Sequence, residues 1–263
     1  MSIDYFRLES DGCLVIRDAI DVSIYSEFET EIDDFARLLL RRQNICDSNR
    51  ESMAALLASN GELRKVLFPQ LRNLRVLHKL EQQIIKFFDD SGFFDWANMG
   101  APSIHRIFKA DVPGEDKYLL PMHQDYNTPV HVGWRAWIPL RHATPANGTI
   151  KFARGSHATG FISHDVSNPE LPQVVSSDVS DEDCEVLDLA PGGVFLFHPL
   201  LVHASVPATA EQMKYALILN LWDLATMVDP EDQDDPINAR MAMGKMRDIV
   251  RGDRDPIRRA KPA

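Results

Sequence analysis

Cysteine is scarce and scattered: Cys13, Cys46 and Cys184 are three in 263 residues, with no CxxC pair among them. That fits free thiols in a reducing compartment better than a disulfide framework. Long apolar runs are missing as well. The longest, Val194 to Val202, is interrupted by His198 and Pro199, far short of the ~20 residues a membrane-spanning helix needs. No basic-then-apolar stretch marks a signal peptide, so the expected address is cytoplasmic. Positive charge is outweighed, 28 basic side chains against 39 acidic ones giving −11, which argues against nucleic acid and anionic membrane as partners. GxGxxG, the P-loop, HExxH and GxSxG are all absent, which removes the dinucleotide, nucleotide, zinc-protease and serine-hydrolase readings.

What is present is an ordinary globular composition, 44% hydrophobic and 25% charged, in a chain long enough to bury a sizeable core as one domain over 1–263. Val22, Tyr25, Phe28, Ile32, Phe35 and Leu38 recur at spacings of three and four, predicting an amphipathic helix over 22–43. Leu63, Val66, Leu67, Leu71, Leu74, Leu77, Leu80 and Ile84 predict a second helical region over 61–90, with a break near Pro69. These apolar stripes fit core packing, and part of that face could serve a homodimer. Short strand-like runs take over after residue 100, including His105–Lys109, Trp134–Leu140, Thr149–Phe152, Val194–Phe197 and Tyr215–Leu219. Asn147-Gly148 between two such runs is a hairpin signal. The layout predicts an α+β fold: a helical part over about 20–95, a double-stranded β-helix or jelly-roll core over about 100–225, and a helix or tail over 226–263.

The chemistry concentrates in His123-Gln124-Asp125, with His203 following 78 residues after the aspartate and Lys214 another 11 residues on. Side chains at i and i+2 of an extended strand share a face, so His123 and Asp125 can grip one ion while Gln124 points elsewhere. A third ligand must come from another strand. Two neutral imidazoles and one carboxylate form the facial triad of non-haem ferrous sites, which leaves half an octahedron open. An isolated H-x-D pair is weak; its surroundings strengthen it.

Those surroundings, in order, are Gly12-Cys13-Leu14-Val15-Ile16, His123-Gln124-Asp125, Trp137, Asn147-Gly148, Gly155-Ser156-His157, Gly192-Gly193 and His203-Ala204-Ser205. Over roughly residues 5–222 the chain resembles the phytanoyl-CoA dioxygenase-like branch of the Fe(II)/2-oxoglutarate-dependent oxygenases. The resemblance implies that His123, Asp125 and His203 hold Fe(II). It also implies that Lys214 anchors the distal carboxylate of 2-oxoglutarate and that Lys109, Gln124, Trp137 and Ser205 belong to the cosubstrate site. O2 and 2-oxoglutarate would then oxidise a small-molecule metabolite, with release of succinate and CO2. Asp125 points to hydroxylation, because relatives that halogenate carry a small residue there.

Two positions depart from the family's pattern. Position 214 is usually arginine and is lysine here, a point charge in place of a planar fork, with Arg106 and Arg135 as alternative cations. The asparagine often found five residues beyond the distal histidine is Ala208. His198, five residues before His203, is read as a pocket residue, His157 as a member of a loop near the substrate, and Trp134 as core. A second reading stays open: a jelly-roll metal protein or cupin-like enzyme that does not use 2-oxoglutarate.

Overall fold

Four-residue spacing on the helices and strict alternation on the strands place apolar side chains on both faces of one five-stranded sheet. The computed structural model describes residues 3–45, 52–100, 102–114, 119–125, 133–165, 173–174, 179–209 and 212–223. From the N-terminus run α1 (Tyr5–Asp11), β1 (Cys13–Ile16), α2 (Ser23–Arg42), α3 (Ser52–Ser59), α4 (Leu63–Leu71), α5 (Arg75–Asp90) and α6 (Phe93–Trp96). Strands follow: β2 (Pro102–Asp111), β3 (Gly133–Pro139), β4 (Thr149–Phe152), β5 (His164–Asp165), β6 (Gln173–Val174), β7 (Glu185–Val186), β8 (Val194–Phe197), β9 (His203–Val206) and β10 (Lys214–Asp223). The helix or tail expected over 226–263 lies outside the described residues.

The large sheet has the order β1-β8-β3-β10-β2, every pair antiparallel. Its outer face carries Ala136, Ile138, Val194, Leu196, Tyr215, Leu217, Leu219 and Leu221, packed into one core with the helices. From α2 come Ile24, Phe28, Ile32, Ala36 and Leu40, and from α5 Leu77, Leu80, Ile84 and Phe88, each set on one helical stripe. Residues of the opposite parity, Trp137, Phe195, Phe197 and Ala216, pack on the inner face against Ile150 and Phe152 of β4. Strand β4 is the centre of a second antiparallel sheet, β7-β4-β9. The molecule is therefore α+β, with helices on one face of an antiparallel sheet and a smaller sheet across the other. Among the described residues no helix is long and apolar enough to cross a membrane.

The second helical region does break near Pro69: that residue sits in the last turn of α4, which ends at Leu71, and the chain resumes as α5 at Arg75. The hairpin expectation is corrected. Asn147-Gly148 makes a tight local turn, closed by a Thr144–Gly148 bridge, yet β3 and β4 do not pair. One joins the large sheet and the other the small one. Gly148 is required there by its φ of 82° and because a Cβ would sit 3.2 Å from that of Ala208.

Candidate active site

His123 lies in an extended segment whose backbone pairs with β9. Its N–H donates to the His203 carbonyl at 2.9 Å, and the His203 N–H returns the bond at 3.0 Å. This bridge sets the two imidazoles side by side, with centroids 4.2 Å apart. Two residues on, the Asp125 N–H donates to the Pro199 carbonyl at 2.9 Å. One ligand atom each from His123, Asp125 and His203 then lie within 4.8 Å of one another, the one such cluster of three among the described residues.

The ring tautomers follow from the backbone. Nδ1 of His123 faces the Pro121 carbonyl at 2.7 Å, and Nδ1 of His203 faces the Leu201 carbonyl at 2.9 Å. A carbonyl can only accept, so each Nδ1 carries the proton and each Nε2 keeps its lone pair for a metal. Nε2 of His123 is buried without a hydrogen-bond partner, a costly state for a polar atom unless an ion takes it. Burial pushes the His123 imidazole down to about 3 and lowers that of His203 too, so both rings are neutral donors. Burial by itself raises the Asp125 carboxyl, but the charges beside it, Arg135's among them, outweigh burial and hold the group below its usual range.

Arg135, on β3, donates from Nε to Asp125 Oδ2 at 3.1 Å. Gln124 turns the other way. Its amide donates to the carbonyls of Gly160 and Leu200 at 2.9 and 2.7 Å and accepts from the Ile162 N–H at 2.8 Å. Gln124 therefore ties the 160–164 loop to the ligand-bearing segment and does not line the cosubstrate pocket, which corrects the sequence expectation.

The triad opens into a cavity of about 440 Å³. Trp137, Phe197, Ile150 and Ile218 supply apolar wall; Lys109, Asp111, Ser205 and Asn220 supply polar wall. Ser205 Oγ accepts from Lys109 Nζ at 3.1 Å and from the Leu120 N–H at 3.2 Å. Lys109, Trp137 and Ser205 thus line the same cavity as the triad.

Lys214 does not line this cavity. It faces Asp111 across β10 and β2 and forms an ion pair with it, both side chains almost wholly buried. Burial lowers the ammonium's pKa against the pull of Asp111, while around the carboxyl the charges of Lys109 and Lys214 outweigh the effect of burial. A neutralised lysine is a poor anchor for a second carboxylate, so the anchoring role expected of Lys214 is not supported by its geometry. Neither alternative cation is available: Arg106 pairs with Glu81 at 2.9 Å, and Arg135 holds Asp125. Asp111, Asn220 and Leu120 were missed by sequence reasoning. For Asp111 a signal existed, since it stands two residues beyond Lys109 and so on the same strand face.

His198 and His157 stand apart from the metal cluster. Their rings are 5.5 Å apart and, with Glu9, Trp96 and Trp134, line a separate cavity. His157 fits only because residue 12 is glycine, where a Cβ would reach 2.2 Å from its Nδ1. Trp134 packs against Phe93 and Trp96, as a core aromatic does.

Over a stretch of about 100 residues the chain is 32% identical to a 1-deoxypentalenic acid 11-beta-hydroxylase of Streptomyces arenae and 30% identical to that of Streptomyces exfoliatus, covering 35% of this chain and 36% of each relative. The chain thus matches little more than a third of the length of these curated relatives. Among solved structures, the non-heme monooxygenase ThoJ in its apo form superposes with a TM-score of 0.58 at 19% identity, over 83% of this chain and 76% of that one. EvdO2 from Micromonospora carbonacea var. aurantiaca, complexed with 2-oxoglutarate, does so at 0.55 and 15%, over 85% and 92%. At such identities these likenesses establish the fold. Residues 8–216 match the family described as phytanoyl-CoA dioxygenase (PhyH), and the chain belongs to that family.

Proposed function

We propose that this protein is a non-haem Fe(II)- and 2-oxoglutarate-dependent oxygenase that hydroxylates a small organic molecule. The observation that carries the reading is the cluster of His123, Asp125 and His203 in the wall of a large cavity, with His123 Nε2 buried and unsatisfied. The donor set fits ferrous iron: two neutral imidazoles, each oriented by a backbone carbonyl, and one carboxylate. Bound there, iron supplies the oxidising chemistry in which O2 and 2-oxoglutarate give succinate, CO2 and a hydroxylated product. Cys13 and Cys184, both free thiols, suit a reducing cytoplasm. The sheets around the site are read as the double-stranded β-helix of this family.

The protein's own groups divide the cavity. Lys109, held by Ser205 and facing no carboxylate within ion-pair distance among the described residues, receives the distal carboxylate of 2-oxoglutarate through a charge-assisted hydrogen bond. Trp137 and Phe197 exclude water from the space between. Asn220 lies next to Arg135 across the β3–β10 ladder and offers a polar handle to the substrate among the apolar side chains Ile107 and Ile218. A mainly apolar substrate with one hydrogen-bonding group fits that half. The partial relatives are named for the hydroxylation of 1-deoxypentalenic acid.

An anaerobic titration of the apo protein with Fe(II) and then 2-oxoglutarate tests the reading. The visible charge-transfer band of a chelated keto acid should appear and should be absent in His203→Ala. Bound iron without the band would favour a jelly-roll metal protein that does not use 2-oxoglutarate.

A further inference from the structure

Arg135 is 1% exposed, and in register its neighbours are Phe197 on β8 and Asn220 on β10. A guanidinium in such a place carries a desolvation cost of several kcal/mol unless it is paired. Its pairing is directional. Nε donates to Oδ2 of Asp125, while the other oxygen, Oδ1, lies 3.7 Å from His123 Nε2, on the side where the three ligand atoms converge. The two oxygens of one carboxylate are thereby distinguished.

That distinction matters because an aspartate can bind a cation through one oxygen or through both. Three protein atoms on an octahedral ion leave three positions, enough for a bidentate keto acid and dioxygen. A carboxylate rotated to chelate with both oxygens would occupy one of them. Three features hold Asp125 against that rotation: its N–H is fixed to Pro199, Oδ2 is engaged by Arg135, and Arg135 is set by the ladder of β3 between β8 and β10.

We infer that Arg135 is a positioning residue that keeps Asp125 coordinating through Oδ1 alone, and so keeps the third open position of the metal free. The inference rests on the proposed function, since it presumes a metal on the triad. It goes further in giving the cationic neighbour of the ligand a role in counting open sites. Arg135 acts through Asp125 and need not touch the cosubstrate.

The test uses the full chain loaded with Mn(II) and no 2-oxoglutarate, reading water-proton relaxation per bound ion. The parent should report about three exchangeable inner-sphere waters, the number a facial triad leaves. Arg135→Gln, which removes the charge and shortens the reach, should lose about one of the three, and Arg135→Lys, which can still donate to Oδ2, should restore it. A destabilised but folded Arg135→Gln protein with the parental water count would overturn the inference, because a merely structural arginine would lower stability without changing coordination. Should that variant fail to fold, the parental count still decides: a count near two would mean that Asp125 chelates despite Arg135. Mn(II) binding that persists in His123→Ala, or no binding in the parent, would overturn the metal site itself and the inference with it.

Discussion

Lys214 and Asp111 meet in register across β10 and β2 and form an almost wholly buried ion pair. The pair uses up the cation that stands at the family's anchoring position, and it leaves Lys109, two residues from Asp111 on the same strand face, as the ammonium turned to the cavity.

Lys109→Ala should raise the 2-oxoglutarate concentration needed for half of the charge-transfer band by roughly 10–100-fold, the equivalent of one charge-assisted hydrogen bond. Lys214→Met should act mainly on stability, losing about 3–5 kcal/mol by leaving Asp111 buried and unpaired. Urea unfolding read beside the titration separates the two. Recovery of most of the lost stability in Asp111→Asn/Lys214→Met would place the cost in the orphaned charge.

His123→Ala and Asp125→Ala should both abolish metal binding, measured calorimetrically with Co(II), yet they should differ in stability. Removing His123 takes away a buried, unsatisfied Nε2 and should leave the fold intact. Removing Asp125 takes the ion-pair partner from the buried Arg135 and should lower stability by about 3–5 kcal/mol. Equal urea midpoints for the two variants would contradict the Arg135–Asp125 pairing.

Gln124→Ala would take a partner from two carbonyls and one N–H beside the His123–Asp125 segment. At about 1–3 kcal/mol for a buried unsatisfied group, the expected result is a clear drop in stability. Proteolysis within 160–164 should speed up, while stoichiometric Co(II) binding is kept at low temperature.

Acid should destabilise the apo protein through His198. Burial pushes its imidazole down to about 4, with His157 and Arg135 adding to the effect, whereas the unfolded chain takes its proton near pH 6.5. Between those values the unfolded state binds more protons, so stability is full above about pH 6.5 and declines as pH falls toward 4. Denaturant midpoints over this range should fall, and His198→Gln should flatten the slope.

The His123, Asp125 and His203 cluster was legible in part because its residues obey local rules. The i, i+2 spacing of His123 and Asp125 puts them on one face, and three-to-four spacing revealed the helix now seen as α2. What escaped depends on pairings between distant segments. Nothing local says that residue 214 will stand opposite residue 111, because that register is set by the helix-packed outer face of β10. For the same reason Asn147-Gly148 suggested a hairpin where the chain changes sheets: turn chemistry was read correctly, but the partners of β3 and β4 lie far along the chain. Gln124 was misjudged because its three backbone partners come from Gly160, Ile162 and Leu200.

The His123–His203 bridge joins residues that are 80 positions apart in the chain. The large sheet is closed by pairings at least as remote, Trp137 with Ile218 and Asp111 with Lys214. Loop-closure entropy therefore falls on the fold as a whole, with no part of it reserved for the site. A metal on the triad would meet a geometry that the sheets themselves hold, and a chelator should strip it without unravelling the chain.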